Sequence, residues 1–338
     1  MTFTNSKNVF LVIGLLLVSG FAQAQAFCAL RDPKTGIYDL YPEADNYRSI
    51  VRTVDTTIKQ VVEERLPPET LHFSELGRHT LYVALKDQNP VGFVHVRSEE
   101  SRWGLVEIAW ALDMNLRIVD FRFQRCRSSQ KKHLEDESFR AQLKGKSYSD
   151  LKELLQPGTS LLAPGALAIP DGAEELAEVL IRCALKTTLV TELAWAEDIQ
   201  LLRAEGEAVS AFGEFSHIQM VTDPYTEKVR AGLETALQGA NLGVDYDSVS
   251  LAKVYGPEDE LLGSLYSNVT DIDGQPTYLS WVIDTDNRIR NVTNMSGWRS
   301  ERDEMIFAEL RGKRFDDADH CGNRVELLAL EAVITANH

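Results

Sequence analysis

The sequence predicts an α+β protein built from two tandem related domains, each an antiparallel β-sheet flanked by helices. Three observations carry this. The segment Trp110-Ala-Leu-Asp113-Met-Asn-Leu-Arg117-Ile118 recurs 171 positions later as Trp281-Val-Ile-Asp284-Thr-Asp-Asn-Arg288-Ile289, and Gly92/Gly263 and Val83/Val254 keep that spacing. Downstream, Phe139-x-x-x-Leu143-x-Gly145-Lys146 is echoed by Phe307-x-x-Leu310-x-Gly312-Lys313, 167 positions apart, so the second copy is four residues shorter there. Around both copies, segments of period-two hydrophobicity precede segments of helical period.

The elements follow in order. Tyr47, Ile50, Val51, Val54, Ile58, Val61 and Val62 fall on one helical stripe, so residues 47–66 are expected to be a helix ended by Pro67-Pro68. Residues 79–85 and 91–97 read as strands around the polar turn 87–90. Val106, Ile108, Trp110 and Leu112 alternate on one strand face. Asp113-Met-Asn115 turns, and Ile118 to Phe123 returns. In the second copy Leu279, Trp281 and Ile283 take the same places, and Asp284–Asn287 supplies a turn of residues that tolerate left-handed angles. A helix is expected from about Asp171 past Leu189 toward Leu202, capped by Asp171 with Glu174 three residues on. Others are expected near Tyr225 to Leu237 and Val325 to Ile334. Glu-Gly-Glu and Phe-Gly-Glu loosen the pattern between Ala204 and His217, which places the boundary there. The domains are expected at 38–205 and 210–338.

Residues 1–24 read as a secretory leader. Lys7 precedes the apolar run Val9–Val18, and two A-x-A sites end at Ala24 and Ala26. The run is short for a membrane span, so the mature chain is expected in the periplasm or secreted, with no membrane span. Bulky Phe27 before Cys28 argues against a lipid-anchored cysteine. The 338 residues carry 35 Lys+Arg against 51 Asp+Glu, a net charge of −16 that deepens to −17 when the leader takes Lys7 away. Such a chain repels phosphate backbones and is not expected to bind nucleic acid. Cys28, Cys126, Cys183 and Cys321 are too few for a disulfide scaffold. They allow three pairings if all pair, and Cys183 lies at core spacing from Leu176 and Leu180.

Each unit resembles the FMN-binding domain of extracytoplasmic flavoproteins, the family of flavin-carrying subunits of sodium-pumping quinone reductases and Rnf-type complexes and of the nitrous oxide reductase regulator. The resemblance rests on the hairpin Ile283-Asp284…Arg288-Ile289, matched by Leu112-Asp113…Arg117-Ile118. It rests also on the Phe…Leu-x-Gly-Lys element and on the small-residue loop before the last helix. It covers most of 79–190 and 251–336. It implies FMN as cofactor, electron transfer as role and an envelope redox or membrane-complex partner.

The departures are chemical. The family attaches its flavin phosphate through a Thr in a Ser-Gly-Ala-Thr-like loop. Here that loop is Pro164-Gly165-Ala166-Leu167, and Leu167 has no oxygen for a phosphoester. The matching second stretch, Asp317 to Gly322, also lacks a Thr. The family's Glu-Thr-Pro-Gly segment is replaced by Gln124-Arg125-Cys126-Arg127 and by Met295 to Trp298. A non-covalent FMN site would therefore use Gly165, Ala166 and Leu167, with Arg125 and Arg127 as bidentate phosphate donors and Trp103, Trp110, Trp281 or Trp298 as stacking partners. Alternation of Trp110 and Trp281 with Ile, Val and Leu on the buried strand face favours the core for both.

Asp316, Asp317, Asp319, His320 and Cys321 mix hard and soft ligands and select no metal. No nucleophile elbow, zinc-protease, P-loop or dinucleotide motif occurs, so no catalytic residue is expected. Two functions remain open: a flavin-binding electron-transfer or accessory protein of the envelope, and a cofactor-free relic of that domain acting as a periplasmic binding or assembly module.

Overall fold

A computed structural model describes residues 29–72, 75–272, 275–295, 301–315 and 321–337. The expected leader, Cys28, Trp298 and the 316–320 part of the acidic cluster lie outside the described residues.

Asp32 caps the first helix, α1 (Pro33–Leu40), by accepting from Thr35 N. Strand β1 (Asn46–Val54) then pairs along its whole length with β2 (Gly77–Lys86). This corrects the expected helix over 47–66. The stripe is real, but Ile50, Val51, Thr53 and Val54 are β-branched, and the edge of β2 offers them a ladder. The helix begins only after Asp55, which accepts from Thr57 N and Ile58 N at 3.0 Å and starts α2 (Thr56–Arg65). Strands β3 (Asn89–Ser101), β4 (Gly104–Leu112) and β5 (Ile118–Arg125) complete an antiparallel sheet in sequential order.

Three short helices, α3 (Lys131–Leu134), α4 (Glu137–Arg140) and α5 (Tyr148–Lys152), lead to α6 (Glu174–Ala194). The expected cap at Asp171 is corrected. The N-cap is Ala173 with no side-chain bond, and Glu174 instead accepts from Gly172 N at 3.3 Å. The long helix breaks at Trp195, whose fully buried indole donates to Ile50 O at 3.2 Å, and α7 (Ala196–Phe212) follows. The segment expected to be a loose boundary is helical through Gly206 as far as Phe212.

The second sheet runs β6 (His217–Met220), β7 (Val244–Tyr255), β8 (Leu261–Ile272), β9 (Gln275–Asp284) and β10 (Ile289–Asn294), again antiparallel and in sequential order. Helices α8 (Glu227–Ala236), α9 (Glu301–Leu310) and α10 (Arg324–Ala336) accompany it. The architecture is thus α+β, with antiparallel sheets flanked by helices. No helix among the described residues is long and apolar enough to cross a membrane.

Both faces of each sheet are covered. On β3 and β4, Phe93, Ile108, Trp110 and Leu112 face the core with α6, while Val94, Val96, Ala109 and Ala111 face Ile37, Leu40 and Tyr41 of the α1 segment. In the second sheet, Leu279, Trp281 and Ile283 pack with α8 and α10, and Ala252, Val254, Leu265 and Val282 face Ala204 and Ala208 of α7. Helix α7 therefore serves both sheets, since its Ile199 and Leu202 belong to the first core.

The repeated sequence elements form one repeated clasp. Asp113 Oδ1 accepts from Asn115 N and Arg117 N at 2.8 Å, and Asp284 Oδ1 accepts from Asp286 N and Arg288 N at 3.0 Å. Arg117 Nη1 donates to Gly145 O at 2.7 Å, and Arg288 Nη1 to Gly312 O at 3.3 Å. Ile118 and Ile289 each exchange two backbone bonds with their Gly-Lys pair, at 2.7–2.9 Å and 2.7–3.0 Å. Gly145 and Gly312 both hold φ 78°, which explains the glycine. Gly92 and Gly263 are crossing points. A Cβ on Gly92 would lie 2.6 Å from Leu112 O and meet the Tyr41 ring, and one on Gly263 would lie 2.6 Å from Phe212 Cζ.

Candidate functional site

The five residues expected to hold FMN fall in different settings: Leu167 and Ala166 pack inward, Gly165 lies at an exposed turn, and Arg125 and Arg127 sit at and beyond the end of β5. Leu167 is 9% exposed and packs into the apolar core, with Ala166 against the same cluster. Gly165 sits exposed at φ 77°, a turn position. Arg125 is turned to Glu107 Oε1 at 3.4 Å, and Arg31 holds the other oxygen at 2.7 Å. Arg127 is exposed beyond the strand end. Trp110 and Trp281 are fully buried, so neither ring offers a face to a ligand. Trp103 is half-buried, with the Arg102 guanidinium 4.4 Å above its ring. No described group of His, Cys, Asp and Glu could hold a metal ion. Cys126 and Cys183 form no disulfide. Cys183 accepts from the Trp110 indole at 3.4 Å, and burial pushes its thiol up to about 12.

What lies between β3 and α6 instead is an ion cluster. Lys186 Nζ reaches Glu99 at 2.9 Å and Glu75 and Glu69 at 3.9 Å. Arg97 Nη2 donates to Glu75 Oε1 at 2.5 Å, and Arg182 lies 3.7 Å from Glu99. Three carboxylates thus meet three cations. Burial raises the Glu75 carboxyl, but Arg97 and Lys186 outweigh it and hold it below its ordinary value. For Glu99, burial wins and the shift is upward. Beside the cluster, His79 bonds Glu75 O at 2.9 Å and His95 at 3.3 Å, and His95 bonds Thr191 Oγ1 at 2.8 Å. Thr191 in turn donates to Thr187 O at 2.7 Å. Burial, with Arg97 nearby, pushes His79 down to about 4 and His95 lower than usual, so both rings are neutral at pH 7. The chain ends on carbonyl acceptors at both sides. Two neutral rings and one hydroxyl therefore bring three protons to four contacts.

The second sheet is different inside. Glu331 of α10 is fully buried and accepts from Tyr266 at 2.5 Å, Tyr225 at 2.9 Å, Asn268 at 3.1 Å and Thr335 at 3.4 Å. Burial raises its pKa to about 7 against these four donors.

The accessible polar site lies on the opposite face of that sheet, under α7. Glu207 Oε2 accepts from Ser280 Oγ of β9 at 2.6 Å, and burial raises the Glu207 pKa more than Ser280 and Arg203 lower it. Ser250, Ser267 and Tyr278 form a hydroxyl ladder beside it, with contacts of 2.6 and 3.2 Å. One turn before Glu207, Arg203 donates through Nε to Met114 O at 2.7 Å, across to the hairpin after β4. Both charges line a cavity of about 500 Å³ between α7, β10 and the Asn89-Pro90 turn. Its volume is that of an ordinary small-molecule site.

Comparison with protein families, with curated proteins and with solved structures finds no match for this chain.

Sequence reasoning missed the cleft because it read Glu205-Gly-Glu207 as a loosened boundary. The available signal was the Arg203/Glu207 spacing of four, which puts both on one helix face. The partners that hold them, Met114 O and Ser280, come from distant strands and leave no mark in local pattern.

Proposed function

We propose that this chain is a cofactor-free derivative of the extracytoplasmic FMN-binding domain, duplicated at 38–205 and 210–338, and that it works as an exported binding or assembly module of the cell envelope. The observation that carries this reading is Leu167. Its side chain completes the apolar core at the position where the family presents a phosphate-bearing hydroxyl. Arg125 supports the same reading, since Glu107 holds it. The repeated Asp–Arg–Gly-Lys clasp supports the duplication, because it gives the shared motif a structural role in each sheet without a flavin. The apolar run and A-x-A sites of residues 1–24 support export.

The test is a titration of the purified mature protein with FMN, followed by visible absorbance and flavin fluorescence, together with the spectrum of the protein as isolated. A colourless protein that leaves FMN fluorescence unchanged at micromolar concentration is the expected result. A yellow preparation, or saturable quenching of FMN, would overturn the cofactor-free reading in favour of non-covalent flavin binding and an electron-transfer role. Acid release of that flavin would then be expected, because Leu167 cannot anchor it.

A further inference from the structure

Arg203 and Glu207 stand one turn apart on the same face of α7, a spacing at which opposite charges ordinarily join. Here no ion pair joins them, although Arg203 is near enough to pull the Glu207 carboxyl down, and among the described residues neither forms one with a third group. Each is held aside by a fixed partner from a different strand region. Arg203 Nε is committed to Met114 O at 2.7 Å, and Glu207 Oε2 to Ser280 Oγ at 2.6 Å. Both bonds leave capacity over: the guanidinium carries further N–H donors, and the carboxylate has a second oxygen. Both residues line the same cavity, whose remaining wall joins Met114 and Met295 with Ser210, Asn291 and Thr293.

A cation and an anion held by separate partners beside two methionines match a ligand that carries the opposite pair on one carbon next to an apolar group. We propose that this cleft binds a free α-amino acid with an apolar side chain, its carboxylate on Arg203, its ammonium on Glu207 and its side chain against the methionines. Binding completes two charge-assisted hydrogen-bond sets at a partly desolvated site, where such bonds are strong. The unbranched thioethers of Met114 and Met295 adapt to side chains of different shape, so leucine, methionine and phenylalanine are all expected to enter. The net charge of −16 does not select the ligand, since a zwitterion is neutral. This inference deepens the binding-module reading and rests on it.

Isothermal titration of the mature protein with L-leucine, L-methionine and L-phenylalanine tests it, with N-acetyl-L-leucine, L-leucinamide and glycine as analogues. The free amino acids should bind. Removing the ammonium, the carboxylate or the side chain should each weaken binding about tenfold or more, the cost of a lost charged contact or of lost apolar burial. Glu207→Gln and Arg203→Met should do the same to L-leucine while the thermal unfolding midpoint shows that each variant is folded. The analogue series needs no variant and decides the matter if one fails to fold. Absence of heat with every free amino acid at millimolar concentration overturns the proposal. So does equal binding of leucinamide, which would point to a peptide N-terminus. Either failure leaves the FMN titration unaffected, so failure of this inference is distinguishable from failure of the cofactor-free reading.

Discussion

On the first sheet, the inner face of β3 carries His95, Arg97 and Glu99; 171 residues later, β8 carries Tyr266, Asn268 and Thr270 in the same register against the facing strand. His95 lies opposite Trp110 and Tyr266 opposite Trp281. The helices beyond them answer differently. In the first unit α6 supplies a cation, Lys186, to strand and loop carboxylates. In the second, α10 supplies a carboxylate, Glu331, to neutral hydroxyl and amide donors. Corresponding strand positions of the two sheets thus face a balanced ion cluster in one case and a single acid in the other. The difference shows that this interior needs polar satisfaction and does not need a particular charge. A cluster of full charges depends on every member. A single acid surrounded by neutral donors can keep its bonds in either protonation state but resists ionisation.

The largest expected effect breaks the ion cluster. Lys186→Met leaves Glu99 and its neighbours with one cation fewer in a buried site and is expected to cost about 3–5 kcal/mol, read by urea unfolding at pH 7. A loss below about 1 kcal/mol would show that water reaches these carboxylates and that the cluster is not a dry interior.

Next is the acid of the second unit. Glu331 has a raised folded-state pKa of about 7 against an ordinary 4.5. Its contribution is therefore present in full at low pH and is lost as the pH rises through about 7, because the folded state must then hold a buried carboxylate. The shift corresponds to about 3 kcal/mol. Glu331→Gln removes this slope. The variant should gain on the native chain by up to that amount at pH 8 and show little of the gain at pH 4. Parallel stability curves for the two proteins across that range would refute the assignment.

The smallest effect tests what the units share. Asp113→Ala and Asp284→Ala each remove a side chain that accepts two backbone N–H groups. Each should cost about 1–3 kcal/mol in thermal or urea unfolding. The second should cost more, because Asp284 also accepts from Arg290 Nε at 2.8 Å. If only one substitution destabilises, the clasp is not equivalent in the two sheets.

Much of the strand order was legible. Alternation at Val106 to Leu112 and at Leu279 to Ile283 located β4 and β9 because large aliphatic and aromatic side chains face the main core, while Glu107, Ala109, Ala111 and Ser280 alternate with them on the other face. The helices near Tyr225–Leu237 and Val325–Ile334 were found to within a few residues for the same reason. Residues 47–54 misled, since an edge strand with little burial on either face has no strong period of its own. The core reading of Trp110 and Trp281 followed from their apolar neighbours. Lys186 and Glu331 gave no signal, because a buried charge in a helix looks like a surface charge until its partners are placed around it.

The sequence alone determined the fold class, the recurrence of the Asp–Arg–Gly-Lys motif and the absence of a hydroxyl at Leu167, because periodicity, spacing and the chemistry of one side chain are local facts. Only the tertiary structure decided that Glu107 occupies Arg125, that an ion cluster lies under one sheet and a lone acid under the other, and that Arg203 and Glu207 stand apart over a cleft. Each of these depends on groups from separate elements meeting in space, and such distances are set by packing and not by position along the chain.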